Sequence, residues 1–312
     1  MMRALVTGAA GFIGSNLCLE LEANGFSVVG LDNFTTGNFE NLQGFAGDFV
    51  AADAGDVGYW ASRVGKVDVV FHQAAITDTT VSDQARMMHV NVEAFRSLLD
   101  WAAKAGVKKV VYASSAGVYG DGKVPMKEAD TKRPMNAYAF SKVVMERVAA
   151  DFQKKHPRMD VVGLRYFNVF GPREKFKGKA ASMIWQLCLQ MRAGKNPRIF
   201  EFGEQYRDHI YVRDIVSANL LAAKRRGARG VYNACTGRKT TFNEIIAHLN
   251  GALGTALKPD YFKNPYSFYQ NETLGDPGHA ARDLKFNAVW TVEKGVKEYI
   301  GVFSRAASAG RS

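Results

Sequence analysis

Short apolar runs without polar alternation alternate with longer amphipathic stretches along the first half of the chain. ALV (4–6), SVVGL (27–31), DVVF (68–71), KVVYAS (109–114) and VVGLRY (161–166) read as strands covered on both faces. Stretches 12–24, 83–105 and 136–156 read as the helices between them. Strand and helix repeated in this way predict a doubly wound parallel α/β sheet. After residue 166 the texture changes, and Pro172, Pro197, Pro259, Pro265 and Pro277 punctuate shorter elements with more aromatic residues. The expected organisation is a nucleotide-binding domain over 1–166, with returning segments about 204–240 that include VYNACTG (231–237). A smaller mixed α/β lobe is expected over 167–203 and 241–312.

Composition narrows the class. A chain of 312 residues with 47% hydrophobic and 23% charged residues is long enough for a large core. It has no apolar run of 18 residues, so no membrane span is expected. The opening MMRALVTGAAGFIG superficially resembles a secretory signal, but glycines interrupt it and it runs into a motif the protein must keep. Cys18, Cys188 and Cys235 are odd in number, far apart and outside any CxxC spacing, which favours reduced thiols in the cytoplasm over a disulfide frame or metal site. A net charge of +11 points to an anionic partner. Without a dense basic block or aromatic–basic interleaving, a phosphorylated small molecule in a diffuse positive field is expected, with neither nucleic acid nor a membrane as partner.

The first turn, Thr7-Gly8-Ala9-Ala10-Gly11-Phe12-Ile13-Gly14, follows a predicted strand and opens a predicted helix. Glycines at these positions let the backbone approach a pyrophosphate whose charge sits at the helix N-terminus. The second strand ends at Leu31-Asp32-Asn33, where an acidic side chain would accept hydrogen bonds from adenosine ribose hydroxyls and repel a 2′-phosphate. No Lys, Arg or His occurs between Arg3 and Arg63, so NAD is favoured over NADP. Asp53, with Ala54 beside it, follows the third strand and suits the adenine amino group. Gln73-Ala74-Ala75 ends the fourth and lines the cofactor with small residues, and Asn91 is a further cofactor candidate.

Tyr138 and Lys142 stand at i and i+4, one above the other on a helix face. A cation there would lower the tyrosine pKa, so that the phenolate could take a proton from a hydroxyl while hydride leaves the same carbon. Ser114-Ser115-Ala116-Gly117 ends the fifth strand at the sheet's carboxyl edge, where Ser115 could hydrogen-bond the same oxygen.

TGAAGFIG, LDN, HQAA, SSAGVYG, YAFSK and RYFNVFGPR together resemble the extended short-chain dehydrogenase/reductases, in the nucleotide-sugar epimerase and dehydratase branch, over about residues 3–300. The resemblance implies a Rossmann-type NAD domain, a catalytic Ser115, Tyr138 and Lys142, and a substrate contact at Asn168. Dehydratases of this branch carry Asp-Glu straight after the catalytic Ser or Thr. Here Ala116-Gly117 stand there, so dehydration is not expected.

ITDTTVSDQARMMHVN (76–91), GPREKFKGKAAS (171–182) and IFEFGEQYRDHIYV (199–212) are similar to the ADP-glycero-manno-heptose 6-epimerases. That family implies a second acid/base at Lys177, and a nucleotide-diphosphate sugar held by Thr79, Thr80, Gln186, Phe200, Arg207 and Tyr269. It also implies a homodimer or larger homo-oligomer; helices 83–105 and 136–156 carry apolar faces wide enough to pair with a twin. Two departures stand out: Lys179 and Gln186 replace the family's Ser and His, and an uncharged TTGN loop replaces one suited to NADP. The loop, with Asp32, Asn33, Gly37, Glu40, Asn41 and Leu42, resembles the NAD-using UDP-hexose 4-epimerases, which gives the alternative activity. A third reading is a non-catalytic NAD-binding regulator on the same fold.

Overall fold

The computed structural model describes residues 1–264 and 272–309. Six strands alternate with helices as the apolar runs require: β1 (Arg3–Thr7), β2 (Ser27–Asp32), β3 (Asp48–Ala51), β4 (Val69–His72), β5 (Lys109–Ser115) and β6 (Asp160–Tyr166). The strand Gly230–Ala234 returns to pair beside β6. The sheet runs in the order Gly230–Ala234, β6, β5, β4, β1, β2, β3, all parallel. Four consecutive residues of β1 are buried, and all of β4, because helices cover both faces. The α/β Rossmann-type class expected from the sequence is the observed one.

On one face lie α1 (Phe12–Ala23) and α7 (Val212–Lys224), packed on the sheet through Leu17, Leu21, Ile215 and Ala218. On the other lie α2 (Val57–Val64), α4 (Ala94–Lys104) and α5 (Ala137–Lys155), with Trp60, Phe95, Leu98 and Met145 facing the sheet. The helix expected over 83–105 is interrupted. It consists of α3 (Gln84–Met88), a π turn (His89–Glu93) and α4. Asn91 sits in the π turn, fully buried, and binds the backbone of Ile76 in both directions and the Ser141 hydroxyl. A bulge at a residue with this many distant polar partners carries no signature in the hydrophobic period.

A third core cluster joins α6 (Met183–Arg192), α8 (Phe242–Leu253) and the helix Val292–Ala309 through Trp185, Leu187, Ile245 and Tyr299. Phe12, at the start of α1, belongs to this cluster and ties it to the nucleotide-binding turn. Short strands knit the region: Asn168–Phe170 beside His209–Tyr211, and Tyr206–Arg207 between Thr240–Thr241 and Glu272–Thr273. No helix among the described residues is long and apolar enough to cross a membrane.

Beneath the sheet's carboxyl edge, Arg165 is wholly buried and forks onto Glu146 of α5, with Nε and Nη2 each 2.8 Å from a carboxylate oxygen. Glu146 also accepts the Ser114 hydroxyl at 2.7 Å. Arg165 reaches the Tyr119 hydroxyl, which donates to Asn233. One network thus pins β5, β6, α5 and the returning strand. Glu146→Ala would leave a buried guanidinium without its counter-charge, and should lower unfolding free energy by roughly 3–5 kcal/mol. Urea denaturation checks this, with Glu146→Gln expected to lose less.

Candidate active site

The turn after β1 is a close contact that glycine alone permits. A Cβ on Gly14 would fall 2.0 Å from the Gly8 carbonyl oxygen, and one on Gly8, at φ +69°, would meet Ala74 N at 2.7 Å. Gly11 closes the turn by donating its N–H to Gly8 O at 3.0 Å and precedes α1. The amides at the start of α1 and the wall residues Phe12, Ile13 and Gly14 therefore face a cleft of about 830 Å³.

Asp32, at the end of β2, accepts from Ala10 N at 2.9 Å and Phe34 N at 2.7 Å; burial pushes its carboxyl up. Gly37 comes so near that a Cβ there would lie 2.8 Å from Asp32 Oδ1, and Asn38 N and Asn41 Nδ2 both donate to Ala10 O. Asp32, Asn33, Gly37, Glu40, Asn41 and Leu42 thus belong to one loop closed around the Asp32 carboxylate. Asn33 donates to Asp53 at 2.8 Å, and Asp53, Ala54, Gln73, Ala74 and Ala75 line the same wall. The lining at this end (Asp32, Asn33, Thr35, Thr36, Asp53) holds two carboxylates and no cation, which fits NAD and would repel a 2′-phosphate.

At the other end the cleft is lined by Ser115, Tyr138, Lys142, Asn168, Lys177 and Thr79. Ser115 leaves β5 and caps the following turn, its Oγ accepting from Gly117 N at 3.1 Å. Asn136 caps α5 by accepting from Ala139 N, placing Tyr138 in the first turn. Lys142 donates to Ala113 O at 2.8 Å, and its Nζ stands 5.8 Å from the Tyr138 ring centre. Burial brings Lys142 down to about 7, against the opposing pull of Glu146.

The expected lowering of the tyrosine pKa is corrected here. Burial pushes Tyr138 up, with only a hydrogen bond from Ser115 acting against it. Desolvation outweighs the neighbouring lysine, whose own charge is destabilised by the same burial.

Lys177 sits on a 3₁₀ turn, Lys175–Ala180, built on Glu174. Glu174 is fully buried and accepts from Gly171 N, Ser182 N and Ser182 Oγ at 3.1, 2.7 and 3.0 Å. Lys177 is half-buried, 5.6 Å over the Phe12 ring. Burial lowers its pKa while Glu174 raises it. Of its neighbours, Lys175 pairs with Glu40, and Lys179 is exposed.

Five expected site residues lie elsewhere. Asn91 braces the loop after β4 from the π turn and does not line the cleft. Thr80 turns back to Asp78, giving both its N–H and hydroxyl to one carboxylate oxygen. Gln186 caps its own helix entry by donating to Ala181 O and Lys179 O. Phe200 packs on Phe262 with ring centres 5.0 Å apart, and Arg207 donates to Tyr206 O; neither is on the lining, although Arg207 pairs in register with Thr273, which is. Tyr269 lies outside the described residues. Conversely, Thr35, Thr36, Asp78, Arg86 and Phe176 line the cleft without having been expected. Only the loop position of Thr35 and Thr36, just after Asp32, offered a signal in the sequence.

A glycine cradle, a ribose carboxylate and a Ser–Tyr–Lys group at one sheet edge define a nicotinamide-dependent oxidoreductive site of the short-chain dehydrogenase/reductase kind. The chain belongs to the NAD dependent epimerase/dehydratase family, whose model matches residues 4–235. It is 36% identical to an ADP-L-glycero-D-manno-heptose-6-epimerase of Alkalilimnicola ehrlichii, covering 97% of this chain and 98% of that one. Among solved structures, that of the Helicobacter pylori ADP-L-glycero-D-manno-heptose-6-epimerase is 40% identical with a TM-score of 0.89, over 97% and 96% of the two chains. The UDP-glucose 4-epimerase of Thermotoga maritima, solved with UDP-glucose, is 32% identical with a TM-score of 0.91, over 98% and 100%.

The burial of Lys142 has a consequence for stability. Its folded pKa, about 7, lies below the unfolded value of about 10.4. The unfolded chain therefore binds the extra proton between these limits, and stability rises with pH across that window. In cofactor-free protein, wild type should gain on Lys142→Met by on the order of a few kcal/mol between pH 7 and 10. Urea unfolding at stepped pH measures the gap.

Proposed function

We propose that the protein inverts a secondary alcohol of a nucleotide-diphosphate sugar by way of a keto intermediate, with ADP-glycero-manno-heptose as substrate. NAD, held by the glycine turn 8–14 and Asp32, would supply the hydride acceptor for oxidation and the hydride donor for reduction. Tyr138 takes the hydroxyl proton during oxidation and returns it during reduction on one face. Ser115 holds the reacting oxygen. Lys142, with a pKa of about 7, is the group that can take the phenol's own proton, so that Tyr138 can act as the base although burial pushes its pKa up.

The observation that carries this reading is that Tyr138 and Lys177 line one cleft from two unrelated elements, α5 and the turn after Gly171. Inversion needs a proton donor on each face of the ketone, or an intermediate that rotates. Desolvation brings the Lys177 ammonium down towards the range where it can act as that second donor. Ala116 and Gly117 bring no carboxylate beside Ser115, which supports inversion over loss of water. Similarity to both solved epimerases keeps a UDP-hexose 4-epimerase as the second reading, supported by the NAD-type loop around Asp32. Intact Ser115, Tyr138 and Lys142 argue against a non-catalytic regulator. We also propose pairing of two copies through α5, whose outer stripe exposes Phe140 beside Val144.

Purified protein given ADP-glycero-manno-heptose should equilibrate the carbon-6 epimers, followed by proton NMR. Exclusive interconversion of UDP-glucose and UDP-galactose would favour the second reading. Lys177→Ala should cut inversion by roughly 10²–10⁴-fold while NAD binding, read by fluorescence titration, stays within twofold. Unchanged turnover would remove Lys177 from the chemistry.

A further inference from the structure

The chain carries a net charge of +11, and eleven of its 41 Lys and Arg residues lie along one stretch of a single sheet edge. Strands β4, β5, β6 and Gly230–Ala234 are parallel neighbours, so their first residues and the last turns of the helices feeding them share one edge of the sheet. That edge lies opposite the cleft, which gathers at the strands' carboxyl ends. Onto it α2 and its loop bring Arg63 and Lys66, and α4 brings Lys104 and Lys108. From α5 come Lys154, Lys155 and Arg158, and from α7 come Lys224, Arg225, Arg226 and Arg229. All eleven are exposed, against four carboxylates in the same segments that are not buried, Asp68, Asp100, Asp151 and Asp160. Of these, Asp160 is matched by Lys109 and Arg229, and Asp151 by Lys154.

The four segments form a continuous plate. Lys108 N donates to Asp68 O at 3.1 Å, and Asp160 N to Lys108 O at 3.0 Å. Gly227 N and Arg229 Nε bind the Asp160 carboxylate at 3.0 and 2.9 Å, and Lys109 Nζ reaches Ala222 O. Helix dipoles favour a cation in a last turn. They do not account for Lys66, Lys108, Arg158, Arg226 and Arg229, which lie beyond the helices. Helix α1 ends on the same edge of the sheet with no basic residue in its last turn.

We propose that this basic edge docks the protein on an anionic membrane surface, a partner not expected from the diffuse charge of the sequence, leaving the cleft facing the solution. A contiguous row of cations on loops tied together by hydrogen bonds suits a layer of anionic headgroups, each cation adding its own attraction within a Debye length. The fit to nucleic acid is poorer. Loops 65–68, 105–108, 156–159 and 225–229 contain no Phe, Tyr or Trp for base stacking, and no helix stands out to enter a groove.

The test is co-sedimentation of the full chain with phosphatidylcholine vesicles, with and without roughly 30% phosphatidylserine, at salt near 0.05 M and 0.5 M, beside duplex DNA under the same conditions. Binding is expected only to the phosphatidylserine vesicles and only at the lower salt. Arg158→Glu/Arg225→Glu/Arg226→Glu should weaken it at least tenfold, with cofactor binding and thermal midpoint unchanged. If that variant fails to fold, the milder Lys66→Gln/Lys108→Gln should still weaken binding measurably. Equal binding to neutral vesicles, unchanged binding by the variants, or tighter binding to DNA than to vesicles would overturn the proposal. No substrate enters the measurement, so its result is independent of which sugar is epimerised.

Discussion

The contact of Gly14 with the Gly8 carbonyl is the constraint from which the nucleotide half of the molecule follows. β1 lies inside the sheet between β4 and β2, and α1 must begin within one turn of it. A single methyl at Gly14 would lie 2.0 Å from a backbone oxygen, so no rearrangement short of moving the helix could admit it. Once α1 lies that close, Ala10 N falls within reach of Asp32, and Ala10 O receives Asn38 and Asn41. The Asp32 carboxylate, the loop that closes over it and the amides at the start of α1 are therefore one construction.

The substrate half repeats a different device. Each lysine assigned to the chemistry is desolvated and answered by a buried glutamate close in sequence: Lys142 by Glu146, and Lys177 by Glu174. In both cases burial lowers the ammonium pKa and the carboxylate moderates the fall. The glutamates are fixed by groups that take no part in the reaction. Arg165 and Ser114 hold Glu146, and the amides of Gly171 and Ser182 hold Glu174. An unpaired buried carboxylate would itself be costly, so these partners set how far each lysine is shifted.

The parts legible in the sequence were those with a local physical signature. Buried strands show as apolar runs, the glycine turn as GxxGxxG, and Tyr138 with Lys142 as a four-residue spacing on a helix. Signals of side-chain direction were absent. Thr80 and Thr79 are neighbours in one loop, yet Asp78 captures Thr80 and leaves Thr79 on the cleft. Asn91 and Gln186 are amides that satisfied nearby backbone groups instead of a ligand, a choice made by tertiary packing. The direction of the Tyr138 shift was misjudged for the same reason, since spacing reports the lysine beside it but not the burial of both.

The two halves meet along a seam remote from the reacting atoms. Arg173, with φ +75°, donates to the carbonyls of Asn41 and Gln43, Lys175 pairs with Glu40, and Asn16 of α1 donates to Pro172 O. The turn bearing Lys177 is therefore anchored to the loop that closes over Asp32. Lys179 and Gln186, where the chain departs from the heptose epimerase pattern, lie past Gly178, whose φ of +55° breaks the turn. Neither residue lines the cleft, so these two departures do not alter what faces it. The contacts of Arg173, Lys175 and Asn16 hold the Lys177 turn to the loop around Asp32 whatever stands at either position.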